Sequence, residues 1–252
     1  MNYPISSLNG HRAPQKLRVK SGEGIMVYPL YVFDAYGTVL DVHGAVARYS
    51  ADIGPQAQAL STLWRTKQLE YTWVRTLAQR YQDFYALTRQ ALDFACAQLV
   101  PLPEDLRLKL MRAYEELPAY DDVLPTLRAL KAAGARTAIL SNGTSSMLAT
   151  ALHASGLAPW FDKVLSVDQC AQFKTSPAVY QLVLDECQVT TKDVSFQSSN
   201  RWDVAGAQAF GFRCLWINRT HQPDEYRDLS PDGEGHDLNI VVSDLSASQK
   251  MS

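Results

Sequence analysis

Val27-Tyr28-Pro29-Leu30-Tyr31-Val32-Phe33-Asp34-Ala35-Tyr36-Gly37-Thr38 is a short apolar, β-rich run that ends on an acid and enters a glycine turn. It reads as a buried strand. Similar runs follow at Arg136 to Leu140, Lys163 to Val167, Val194 to Gln197, Arg213 to Ile217 and Ile240 to Val242. Helical patterns separate most of them: Val123 to Ala133 before Gly134, Ser145 to Ala154 before Gly156, and Pro177 to Glu186. Alternating β and α segments predict an α/β fold, a doubly wound, mostly parallel, Rossmann-like sheet.

Residues 43–117 interrupt that alternation. Leu60, Leu63, Trp64, Tyr71, Val74 and Leu77 recur at three- and four-residue steps and predict one apolar helical stripe. A second helix is expected from Asp83 to Leu99, stopped by Pro101 and Pro103, and a third from Glu104 to Leu117. The chain therefore divides into an extension over 1–26, an α/β core over 27–42 and 118–252, and a helical cap over 43–117. Open α/β sheets bind ligands beyond the carboxyl ends of their strands. A helical insert leaving the first strand would cover that crevice as a water-excluding lid.

Composition narrows the function. The chain has 252 residues, 24 Lys and Arg against 26 Asp and Glu, and a net charge of −2. That balance gives no electrostatic footprint for nucleic acid, and no apolar run is long enough to span a bilayer. Cys96, Cys170, Cys187 and Cys214 form no CxxC pair, and His11, His43, His153, His221 and His236 lack zinc-site spacing. Scattered thiols point to a reducing, cytoplasmic setting, and neither metal nor cofactor is expected. The extension lacks the hydrophobic segment of a secretory signal, and Pro4, Gly10, Pro14 and Gly22 interrupt any targeting helix.

Polar residues gather at the predicted strand ends: Asp34 and Thr38, Ser141-Asn142-Gly143, Lys174, and Ser198-Ser199-Asn200-Arg201-Trp202-Asp203. Any one of them alone is more often a turn or a helix cap; four in order are not. Together they resemble the haloacid dehalogenase superfamily from Val27 to about Ser246. The closer similarity is to its namesake L-2-haloacid dehalogenases. It is carried by Asp-Ala-Tyr-Gly-Thr at 34–38, Trp-Arg at 64–65, Leu-Ser-Asn-Gly at 140–143 and Phe-Lys-x-x-Pro-x-x-Tyr at 173–180. Ser-Ser-Asn-x-Trp-Asp at 198–203 and Gly-Ala-x-x-Phe-Gly-Phe at 206–212 complete it.

Tyr36 separates two chemistries. Phosphatases of the superfamily carry a second Asp there to protonate the leaving alkoxide, and a phenol is a poor substitute near neutral pH. Halide leaves without a proton. Ser199 also stands where a phosphatase has a magnesium-binding acid. The resemblance thus implies hydrolysis of short-chain (S)-2-haloalkanoic acids to 2-hydroxy acids, with inversion at C2 through an aspartyl ester. A magnesium-dependent phosphatase and a non-catalytic binding protein are the alternatives.

The resemblance also implies roles. Asp34 is the nucleophile and Thr38 fixes its rotamer. Arg65 takes the leaving halide, while Ser141 and the backbone near Ala35 and Asn142 hold the substrate carboxylate. Lys174 keeps Asp34 ionised, and Tyr180 joins that network. Asp203, with Ser198 and Asn200, activates the hydrolytic water or orients Lys174. Tyr36, Leu69, Phe84 and Trp202 wall the substrate. Arg201, where the family has a small residue, places an extra cation at the site's edge, and Thr66 stands where Gln is common. A homodimer is implied by the family and by the apolar insert.

Overall fold

The computed structural model describes residues 28–250; the extension expected over 1–26 lies outside them. Among the described residues six strands are present: β1 (Leu30–Phe33), β2 (Arg136–Ser141), β3 (Lys163–Ser166), β4 (Val194–Ser198), β5 (Arg213–Ile217) and β6 (Gly233–Gly235). Their spatial order is β3-β2-β1-β4-β5-β6, and every pair is parallel. β1 is buried along its whole length, as a strand covered on both faces must be.

The chain leaves β1 toward β2 and β3, then returns to lay β4 on the other side of β1. That reversal is the switch point at which such sheets bind ligands. Phe33 pairs with Ile139 on one side and Gln197 on the other. The register therefore brings Asp34, Ser141 and Ser198 to one end of three adjacent strands.

Helices α1 (Gly44–Arg48), α2 (Ser50–Ile53), α3 (Ala57–Leu77), α4 (Phe84–Leu99) and α5 (Glu104–Glu115) lie between β1 and β2 in the chain. α3 packs along α4, and α1 against α5. Asp83 caps α4 by accepting the Ala86 N–H at 2.8 Å. The remaining helices are α6 (Val123–Ala132), α7 (Ser145–Ala154), α8 (Pro177–Cys187), α9 (Arg201–Phe210) and α10 (Asn239–Lys250).

Two expectations are corrected. Ile240 to Val242 is helical, inside α10, not a strand. Leu238 just before it and Val241 and Leu245 within it are buried, spaced three and four apart. A three-residue apolar run carries no period, so strand and helix look alike there. The last strand is instead β6, with glycine at both ends. A Cβ at Gly233 would sit 2.9 Å from Leu215, and one at Gly235 2.7 Å from Ile240.

The α3 stripe also does not pack as one face. Leu60 and Trp64 are buried, but Val74 is 56% and Leu77 85% exposed. The inward side carries Ser61, Gln68 and Thr72 alongside the two apolar residues. Buried polar groups replace the missing apolar ones, and they require partners.

Candidate active site

Asp34 follows β1 directly, its own N–H bonded to the Gln197 carbonyl at 2.9 Å. The turn behind it uses Gly37 at φ +94°, a left-handed conformation that glycine adopts without steric cost. Ala35 is buried in that turn, and its carbonyl accepts the N–H groups of Thr38, Val39 and Leu40.

Both oxygens of the Asp34 carboxylate are held by donors. Lys174 Nζ lies 2.9 Å from Oδ1. Thr38 Oγ1 (3.0 Å) and Asn200 Nδ2 (2.9 Å) donate to Oδ2. Thr38 Oγ1 in turn accepts the Ser199 N–H at 2.8 Å, tying the ends of β1 and β4 together.

Lys174 bridges two acids. Its ammonium also donates to Asp203 Oδ2 at 2.8 Å, and Tyr180 donates to Asp203 Oδ1 at 2.9 Å. The lysine main chain is placed by Asn142, whose Oδ1 accepts the Lys174 N–H at 3.0 Å. Burial works against the charge on Lys174, but the Asp203 and Asp34 carboxylates outweigh it and raise its pKa above the ordinary value. Burial raises the pKa of Asp203, against the pull of Lys174, with the Asp34 charge adding to the rise. Burial, followed by the Asp203 charge, pushes the Tyr180 phenol well above its usual range.

Arg65 reaches this floor from α3. Its Nη2 donates to the Tyr36 carbonyl at 3.1 Å and to Asn200 Oδ1 at 3.5 Å. Tyr36 is buried, its ring stacked on Tyr114 at 5.4 Å and tilted against Phe84 at 5.5 Å. Leu69 is half-buried one helical turn beyond Arg65. Trp202 is half-buried and meets Trp73 edge-on at 5.6 Å. An apolar cleft of about 810 Å³, lined by Trp73, Leu77, Lys174, Trp202 and Phe210 among others, opens beside the site.

Several expected residues also bond the neighbouring backbone. Ser141 Oγ accepts the Gly143 N–H at 3.1 Å, and Ser198 Oγ accepts the Asn200 N–H at 3.2 Å. Both hydroxyls brace strand-end turns. Arg201 is not a cation at the site's edge: its Nε pairs with Asp224 at 2.7 Å, and Nη2 donates to the carbonyls of Tyr226 and Leu229. It clamps the segment after β5, because a buried guanidinium needs acceptors and that segment supplies them.

A family description of haloacid dehalogenase-like hydrolases matches residues 28–211. (S)-2-haloacid dehalogenase 1 of Pseudomonas sp. (strain CBS-3) is 52% identical over 196 residues, covering 77% of this chain and 86% of that protein. Haloacetate dehalogenase H-2 of Moraxella sp. (strain B) is 38% identical over 188 residues, covering 74% and 84%. The solved L-2-haloacid dehalogenase of Xanthobacter autotrophicus with chloropropionic acid covalently bound superposes with a TM-score of 0.78 at 33% identity, covering 85% and 97%. The chain belongs to the haloacid dehalogenase-like hydrolases.

The donor set of this haloacid dehalogenase-like hydrolase does not fit a magnesium ion. A hard cation needs free oxygen lone pairs, one or two of them usually from carboxylates, and here an ammonium, a hydroxyl and an amide N–H₂ point at the Asp34 oxygens. Ser199 brings no carboxylate to the last loop. Among the described residues, no group of three or more His, Cys, Asp or Glu converges on one point.

The sequence reading missed three buried residues of the hydrolase's helical insert beside Arg65: Gln68, Thr88 and Tyr114. Thr88 and Tyr114, from α4 and α5, bond Gln68, and Gln68 accepts from Arg65. A buried glutamine three residues after Arg65 was the available signal, and it shows only once the inward face of α3 is known.

Proposed function

We propose that this hydrolase converts short-chain (S)-2-haloalkanoic acids to (R)-2-hydroxy acids and halide. The observation that carries the proposal is the Asp34 carboxylate beside Lys174, with the Arg65 guanidinium reaching from the helical insert to Asn200, which also donates to Asp34. The names of the relatives support the same substrate class.

Asp34 attacks C2 from the side opposite the carbon–halogen bond, forming an ester as halide departs toward Arg65. Ser141 and the backbone near Ala35 and Asn142 hold the substrate carboxylate, and Tyr36, Leu69, Phe84 and Trp202 surround its side chain. Esterification removes the Asp34 charge and leaves Asp203 as the remaining carboxylate on Lys174. Burial, which outlasts the loss of the Asp34 charge, raises the pKa of Asp203 and suits it to accept a proton. Asp203 thus orients Lys174 in the first step and takes a proton from water in the second, with Tyr180, Ser198 and Asn200 holding that side of the site. Water attacks the ester carbonyl, so C2 inverts once.

In this reading residues 43–117 form a cap over a core of 27–42 and 118–252, with Arg65 reporting closure. Two copies associate through the apolar end of α3, where Trp73, Val74 and Leu77 are exposed. A cytoplasmic setting accords with four free thiols. No described helix is long and apolar enough to cross a membrane.

Halide release from (S)-2-chloropropanoate, with and without a chelator, tests the function. Chelator-resistant release supports it. Phosphate-ester hydrolysis that needs added magnesium, with no halide release, would replace it with the phosphatase reading.

A further inference from the structure

Gln68 is fully buried in the insert, where an amide is tolerated only with all its partners in place. Its Oε1 accepts from Arg65 Nη1 at 2.7 Å and from the Tyr114 hydroxyl at 3.0 Å. Its Nε2 donates to Thr88 Oγ1 at 2.7 Å, and the Thr88 hydroxyl donates to the Phe84 carbonyl at 2.6 Å.

The direction of this chain is forced. A carbonyl only accepts, so Thr88 must give its proton to Phe84. Thr88 oxygen is then the acceptor for Gln68 Nε2, and the amide oxygen must face Arg65. Three helices therefore fix one edge of the guanidinium: α3 through Gln68, α4 through Thr88 and α5 through Tyr114. The other edge meets the core through the longer contacts to Tyr36 and Asn200, at 3.1 and 3.5 Å.

We propose that Gln68 is a positioning residue for halide departure, holding Arg65 by one edge so that the other is aimed at the leaving group. The proposal rests on the dehalogenase reading above. Its consequence depends on the leaving group. Chloride concentrates its developing charge and leans on an aimed cation, whereas iodide is diffuse and leaves more readily. A residue that merely supports the fold would slow both alike.

The test compares single-turnover halide release from (S)-2-chloro- and (S)-2-iodopropanoate, and inhibition by added bromide, in wild type, Gln68→Met and Thr88→Val. Circular dichroism and thermal melts report folding. Gln68→Met is expected to slow chloride release about tenfold, the worth of a hydrogen bond to a charged group, to slow iodide release less, and to weaken bromide inhibition. Thr88→Val frees the amide to turn and shifts the same readouts in the same direction by less. It also decides the matter if Gln68→Met does not fold. Unchanged chloride-to-iodide ratios and bromide inhibition in folded variants overturn the role of Gln68. A wild type that releases neither halide overturns the dehalogenase reading instead.

Discussion

Lys174 Nζ stands 2.9 Å from Asp34 Oδ1, the lysine side chain fully buried and the aspartate 7% exposed. Asp203, also buried, takes the same ammonium at 2.8 Å. Sequestering three charges is a poor way to stabilise a fold, because desolvation offsets most of the attraction. Its value is chemical: the Asp34 carboxylate meets an ammonium in place of an exposed hydration shell. Removing the lysine is nevertheless expensive, since two carboxylates are left facing each other. Lys174→Met is expected to abolish turnover and to lower stability by about 3–5 kcal/mol. Urea unfolding followed by tryptophan fluorescence measures it.

The same pair sets an alkaline limit. Lys174 holds its proton more tightly in the folded chain than in the unfolded one, so unfolding releases a proton and rising pH favours the unfolded state. The stabilisation is complete below the lysine's ordinary value of 10.5 and is lost as pH climbs through the raised native value. The stability gap between wild type and Lys174→Met should stay level from neutral pH to that point, then narrow. A gap that already shrinks well below it would place the lysine's native pKa under its ordinary value.

Gly206 offers a test of how Tyr180 is held. Glycine to alanine inside a helix ordinarily adds about 1 kcal/mol of stability. At Gly206 in α9 a Cβ would fall 2.5 Å from the Tyr180 hydroxyl and 2.7 Å from Thr175 Cγ2. The tyrosine is buried and cannot swing aside without leaving Asp203. Gly206→Ala is therefore expected to destabilise by about 1–3 kcal/mol and to reduce turnover. A stabilised, fully active variant would mean that the tyrosine–Asp203 bond is dispensable.

How much of this could be read in advance follows from where the information lies. Ser145 to Ala154 and Arg213 to Ile217 carry their own boundaries, the first with Thr144 accepting the Met147 N–H as its cap. The ends of β1, β2 and β4 were legible because each puts its polar residues at the close of an apolar run, as Phe33 precedes Asp34; Lys174, eight residues past β3, lies outside that pattern. β6 was not legible: glycines at 233 and 235 offer no side-chain pattern, and their reason lies in Leu215 and Ile240. Arg65 could be singled out from Leu-Trp-Arg, but its supports come from Gln68, Thr88 and Tyr114 on three helices. Arg201 failed for a related cause. A loop more than twenty residues away in sequence supplies its acceptors, and adjacency to Asn200 gave no hint of that direction.

Asp34→Asn should fold and lose dehalogenation by several orders of magnitude. The amide is nearly isosteric, but it keeps one acceptor where Lys174, Thr38 and Asn200 offer three donors, and it is a poor nucleophile. Near-native melting with wild-type halide release, and no deamidation by mass spectrometry, would remove Asp34 from the chemistry.

The origin of the product oxygen tests the covalent route itself. If Asp34 is the nucleophile, the hydroxyl oxygen of the first product is one of its carboxylate oxygens. Water enters only when it opens the ester at the carboxylate carbon, and it leaves a solvent oxygen on the enzyme. With enzyme in excess in oxygen-18 water, a single turnover should give unlabelled 2-hydroxy acid and labelled protein. Peptide mass mapping should place the label in the segment containing Asp34, and later turnovers should release labelled product. Donors on both carboxylate oxygens do not forbid this, because Oδ1 accepts from Lys174 and keeps a second lone pair for attack, while Oδ2 accepts from Thr38 and Asn200. Solvent oxygen in the first-turnover product would instead mean that water attacks C2 directly. Asp34 or Asp203 would then be a general base, and the nucleophile assignment would fall even with halide as the true leaving group.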